Sequence, residues 1–84
     1  MSYEAILTAS ARREFFSLTP RMQERIAAAV AALKADPRRF GSLKLRQREG
    51  WRVRVGDYRM LYMIDDDARV VTVFSIGHRR EVYR

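Results

Sequence analysis

The stretch WRVRVGDYRMLY, residues 51–62, decides the fold. Apolar side chains recur at every second position before Gly56-Asp57, the period of a pleated strand rather than of a helix. Gly-Asp between two such runs predicts a two-residue hairpin turn, either type I′ or type II′ with glycine supplying the positive φ. A turn of that length also fixes the pairing. Val55 then faces Tyr58, Arg54 faces Arg59, Val53 faces Met60, Arg52 faces Leu61 and Trp51 faces Tyr62. On this register Trp51, Val53, Val55, Tyr58, Met60, Tyr62 and Ile64 share one side, which a helical layer is expected to cover. Arg52, Arg54 and Arg59 gather on the other.

Working outward, the acidic DDDA at residues 65–68 predicts a second, looser turn, followed by a third strand over roughly 69–76. Upstream, RRFGSLKLRQREG (residues 38–50) has no sustained period and two glycines, and reads as a basic loop. Before it, RMQERIAAAVAALKA places Met22, Ile26, Ala29, Val30 and Leu33 on one helical face. Thr19-Pro20 supplies an N-cap and a first-turn proline for that helix, and Asp36-Pro37 ends it. A shorter helix, capped by Thr8 or Ser10, carries Ala11, Phe15 and Leu18 at helical spacing. YEAILT, residues 3–8, suits an edge strand. The expected architecture is one α+β domain spanning residues 1–84: a strand, two antiparallel helices, then a three-stranded antiparallel meander with the helices on one sheet face.

Eighty-four residues suffice for one small core. Hydrophobic residues make up 48% and charged residues 32%, a globular composition rather than a disordered one. The sequence contains no cysteine, which excludes a disulfide frame and a thiolate metal site. No apolar run approaches the ~18 to 20 residues that span a bilayer. With no basic region ahead of an apolar run at the N-terminus either, a cytoplasmic protein is expected. The net charge of +7 is concentrated in one half. Five Lys or Arg stand against four acids up to Pro37, and twelve against six from Arg38 onward. An excess so placed points to a polyanionic partner such as nucleic acid.

The arginine side of the hairpin sharpens that expectation. Like charges directly opposite each other cost a few tenths to ~1 kcal/mol in a sheet, which a fold tolerates. Three guanidinium groups on one patch are a good receiver for phosphate, because each offers a planar fork of donors. Lys44, Arg46 and Arg48 alternate with Leu45 and Gln47 in the loop, a pattern suited to tracking an RNA backbone, and Arg80 adds a further cation near the C-terminus. Asp65, Asp66 and Asp67 are read as an acidic hairpin tip rather than a metal site. His78 is a candidate proton donor, but a half-buried or exposed place at a strand end is the expectation, with strict alternation turning it away from the face that carries Arg79 unless Gly77 bulges.

The chain resembles a RelE-type toxin of bacterial toxin–antitoxin pairs, within the RelE/ParE superfamily. The resemblance runs over nearly the full length, and its most specific parts are GDYRMLY (residues 56–62) and IGHRREVY (residues 76–83). It implies a ribosome-dependent endoribonuclease that cuts mRNA in the ribosomal A site, with Arg52, Arg54, Arg59, Arg79 and Tyr83 at the catalytic positions. Positions 52 and 54 are arginine where such toxins often carry lysine, and an arginine with pKa above ~12 is a poor general base. The resemblance further implies an antitoxin, RelB-like or other, encoded nearby, with DNA contacted only through the toxin–antitoxin complex. No cofactor or metal is expected. Two alternatives stay open at this point: a ParE-like toxin that inhibits DNA gyrase, and a non-catalytic RNA-binding module.

Overall fold

The computed structural model describes residues 2–78. Strand β1 (Glu4–Leu7) leads into helices α1 (Ala9–Phe16) and α2 (Pro20–Ala35), followed by strands β2 (Leu43–Lys44), β3 (Trp51–Val55), β4 (Tyr58–Asp65) and β5 (Val70–His78). They form one five-stranded sheet in the order β1-β5-β4-β3-β2. The expected α+β class and the meander of β3, β4 and β5 are both present, and β1 lies at an edge, parallel to β5. The difference is the fifth strand. Leu43 and Lys44 pair with Arg52 and Trp51, a ladder too short to leave any period in the sequence.

Local chemistry sets the helix starts. The Thr8 and Thr19 hydroxyls accept hydrogen bonds from the Ala11 and Met22 amides, each at 3.2 Å. Such caps are worth ~1 kcal/mol apiece. Pro20 opens α2, where its missing N–H costs nothing. Gly56 carries φ +62 while Asp57 does not have a positive φ, so the β3–β4 turn is type II′.

One cluster holds the layers together. Ala11 of α1 and Ile26, Ala29 and Leu33 of α2 pack on Val53, Val55, Met60, Tyr62, Val71, Val73 and Ile76 of the sheet. Every one of the residues expected to face the helices from the hairpin is buried or half-buried on that side. Tyr62 is fully buried, and its phenol donates to the Pro37 carbonyl at 2.8 Å, which closes the segment after α2 over the core. Burial pushes the Tyr62 phenol up from its ordinary value.

β5 carries two features that position what lies beyond it. Between Leu61↔Ser75 and Tyr62↔Val73 the pairing skips Phe74, a β-bulge. β5 also outruns its parallel partner, since β1 pairs only as far as Val73. Past that point the Ile76 amide donates to the Glu14 carboxylate of α1 at 3.0 Å. A buried strand amide without such a partner would cost ~1 to 3 kcal/mol.

The acidic turn between β4 and β5 ties three segments together. Asp66 takes two hydrogen bonds from the Arg38 guanidinium, at 3.0 and 2.8 Å, and one from the Tyr3 hydroxyl at 2.7 Å. Those donors, Arg38 first, hold the Asp66 carboxyl down at about 2. A carboxyl with a folded pKa below its unfolded one, ~3.9, stabilises the fold above that value and loses the contribution as pH falls toward 2. Melting curves from pH 5 to pH 2 should therefore fall more steeply for the native chain than for Asp66→Asn. Parallel curves would show the ion pair contributes nothing. The Asp65 carboxylate accepts from the Ala68 amide at 2.9 Å, so these acids organise the turn.

Candidate nucleic-acid interface

The register predicted from the hairpin is the one the strands adopt: Arg54 lies opposite Arg59, Arg52 opposite Leu61, and the pairing extends across β5 with Arg59 opposite Gly77. Directly opposed residues project to the same side, ~4.5 to 5.5 Å apart at Cα. The structure thus brings Arg52, Arg54 and Arg59 together on the sheet face away from the helices. Arg54 is exposed, and its Nε donates to the Gly56 carbonyl at 2.9 Å, which lays the side chain along the turn. Arg52 and Arg59 are half-buried. Gly77, itself buried, presents no side chain next to Arg59.

Leu61 modifies the picture. It stands on the arginine side, in the row Leu43, Arg52, Leu61, Ser75, and is 7% exposed although it lies outside the main core cluster. The arginine side is therefore not uniformly polar, since a buried leucine stands in line with Arg52 and beside the Arg54–Arg59 pair.

The basic loop divides. Lys44 pairs with Trp51 and so shares the helix-side face, away from the arginine row. Residues 45–50 form a closed loop, with the Leu45 amide donating to the Gly50 carbonyl at 2.9 Å. Within it the Arg48 guanidinium sits over the Phe74 ring, 4.5 Å from its centroid, so the bulged residue serves as the platform for that cation. Arg46 is exposed. His78 lies opposite Tyr58, with the rings edge to face and 5.7 Å between centroids. The imidazole is thus half-buried on the helix side. Arg79, Arg80 and Tyr83 lie outside the described residues.

One cation near the site escaped the sequence reading. Arg25 of α2 reaches the β3–β4 turn, its Nη1 2.9 Å from where a Cβ on Gly56 would stand. Nothing in its helical context signals this, because the contact depends on how α2 crosses the sheet.

Comparison with known proteins agrees with the geometry. Residues 5–83 match the family model described as the ParE toxin of type II toxin–antitoxin systems, parDE. The chain is 35% identical to toxin RelG of Mycobacterium tuberculosis, over 100% of this chain and 99% of that protein. Its fold superimposes on the toxin–antitoxin complex RelBE2 of the same organism with TM-score 0.85 and 32% identity, covering 94% of this chain and 100% of that one. A mutant of Escherichia coli toxin RelE in the free state gives TM-score 0.79 and 27% identity, covering 99% of this chain and 92% of that one. With the arginine row, the bulged β5 and full-length matches in both sequence and fold, the chain belongs to the RelE/ParE superfamily and is a RelE-like toxin of a type II toxin–antitoxin system.

Proposed function

We propose that the chain is a ribosome-dependent endoribonuclease that cleaves mRNA in the A site without a metal, using the substrate's own 2′-hydroxyl as nucleophile. The observation that carries this reading is the direct opposition of Arg54 and Arg59, with Arg52 alongside, on the sheet face left open by the helices. The 2′-oxygen attacks the adjacent phosphorus in line as its proton leaves. The P–O5′ bond breaks, the departing 5′-oxygen takes up a proton, and the products are a 2′,3′-cyclic phosphate and a 5′-hydroxyl. The enzyme must hold the in-line geometry, stabilise the added charge and move two protons.

In this reading Arg59 and Arg79 clamp the scissile phosphate and Arg54 shares that work. Arg52 positions the strand from the row beside Leu61. Tyr83 shuttles a proton or stacks on a base. Arg46, Arg48 and Arg80 follow the RNA backbone, and Lys44 does so only from the edge strand. His78, turned toward Tyr58, is removed from the proton-transfer steps. The toxin acts in the cytoplasm, and its partner is an antitoxin of RelB type that neutralises it by covering or reshaping the basic face, supported by the RelBE complexes among the chain's structural relatives. Opposite charge suits an acidic segment that orders on the +7 surface.

Mapping transcript 5′ ends after brief induction tests the reading. The expected result is new 5′-hydroxyl ends inside codons on ribosome-bound mRNA. The ParE description of the matching family model keeps a gyrase-directed toxin as the second reading, and intact transcripts with accumulating DNA damage would establish that one instead.

A further inference from the structure

We infer that Phe40 is a stacking platform for an unpaired RNA base, a contact point separate from the arginine row and dependent on the reading that the chain acts on RNA. Phe40 is 101% exposed, as open as in a free chain, which makes it the most exposed of the large apolar side chains that stand clear of the core. Its position is not that of a loose loop. The Arg38 amide donates to the Asp36 carboxylate at 3.1 Å and the Arg39 amide to the Asp36 carbonyl at 3.2 Å, so the chain turns tightly after α2. A second turn follows at once. The Ser42 amide donates to the Arg39 carbonyl at 3.0 Å, the Ser42 hydroxyl donates to the same oxygen, and Gly41 adopts φ +95. These are the marks of a type II turn with Phe40 at its outer corner. The ring is held out into water by a fixed backbone.

Its surroundings are cationic and continuous with the arginine row. Arg39 and Lys44 are exposed on either side of it in the chain. Leu43, itself 54% exposed, pairs with Arg52 and lies on the arginine side. Three residues of chain from Phe40 to Leu43 reach at most ~10 Å, short enough for one single strand to touch both the ring and the guanidiniums. Aromatic rings interleaved with cations are how proteins hold unpaired bases, since every base has a π-face and the flanking charges meet its phosphates. A ring that docked into an apolar protein groove would be better served by apolar neighbours than by Arg39 and Lys44.

The test uses the full chain with Arg59→Ala, which spares the RNA, and adds Phe40→Ala, Phe40→Leu or Phe40→Trp. Binding is read in two arms: fluorescence anisotropy with a short single-stranded RNA and with the same strand made abasic, and co-sedimentation with ribosomes carrying mRNA and an open A site. Phe40→Ala should weaken binding about 5- to 100-fold, Phe40→Leu should be nearly as weak, and Phe40→Trp should bind as the parent does. A loss in the first arm that vanishes on abasic RNA assigns the base to mRNA, and a loss confined to the second assigns it to ribosomal RNA. Leucine binding as well as phenylalanine, no loss in either arm, or a loss confined to antitoxin binding would overturn the inference. Because these arms read binding alone, uncut RNA with native Arg59 would remove the nuclease reading and leave the Phe40 result to stand or fall separately.

Discussion

Arg59→Ala should lower mRNA cleavage on ribosomes by about two to three orders of magnitude, the usual cost of removing one donor from a preorganised anion site. Arg59 is the central member of the row, with Arg54 opposite it on one side and the bare Gly77 on the other. The opposed pair repels by a few tenths to ~1 kcal/mol, and removing one partner relieves that repulsion. The variant should accordingly keep a cooperative melt while losing activity. Arg59→Lys, which retains the charge but not the planar fork, should fall between the two. Combining Arg54→Ala with Arg59→Ala should cost less than the sum of the single losses if both serve one phosphate. Full cleavage by Arg59→Ala would remove the site assignment.

Gly50→Ala should destabilise the fold by ~2 to 5 kcal/mol, from backbone strain and overpacking together. Gly50 is buried with φ +133, a conformation that side chains rarely adopt. An added Cβ would stand 3.1 Å from the Tyr62 carbonyl oxygen, 3.1 Å from Leu45 Cδ1 and 3.4 Å from Phe74 Cε2. The backbone oxygen cannot move aside without pulling on β4, so the loop must give. For a domain of this size each kcal/mol lowers the melting temperature by ~4 to 8 °C. A drop of about 10 °C or more in a thermal melt is the expected outcome, and an unchanged melt would show that the 45–50 loop is not packed as described. The same substitution should release Arg48 from Phe74.

Much of this was legible in the hairpin. The Gly-Asp turn and the alternation around it were enough to pair Arg54 with Arg59 and to send Met60 and Tyr62 into the core, because a short turn leaves the strands no other register. What depended on long-range packing was not legible. Leu43-Lys44 pairs for only two residues, too few for any alternation to put Lys44 on Trp51's side. Leu61 sits among arginines in the pattern, and its burial depends on cover from outside its own hairpin. Glu14 and Asp66 look like ordinary surface acids, yet one meets a strand amide 62 residues away and the other bridges Arg38 and Tyr3. Phe40 was simply one apolar residue in a basic loop, since exposure is a property of the folded turn.

The skipped residue in β5 has a consequence for the site that its size conceals. A pleated strand has only two phases, and one supernumerary residue toggles between them. Ahead of position 74 the odd-numbered side chains, Val71 and Val73, enter the core; behind it the even-numbered Ile76 does. Were the ladder straight from Tyr62↔Val73, Arg59 would sit opposite Ile76 and Ser75 would be driven inward. A branched hydrocarbon would then stand beside the guanidinium of Arg59 where glycine now brings no side chain at all, so a single extra residue decides what neighbours the arginine row.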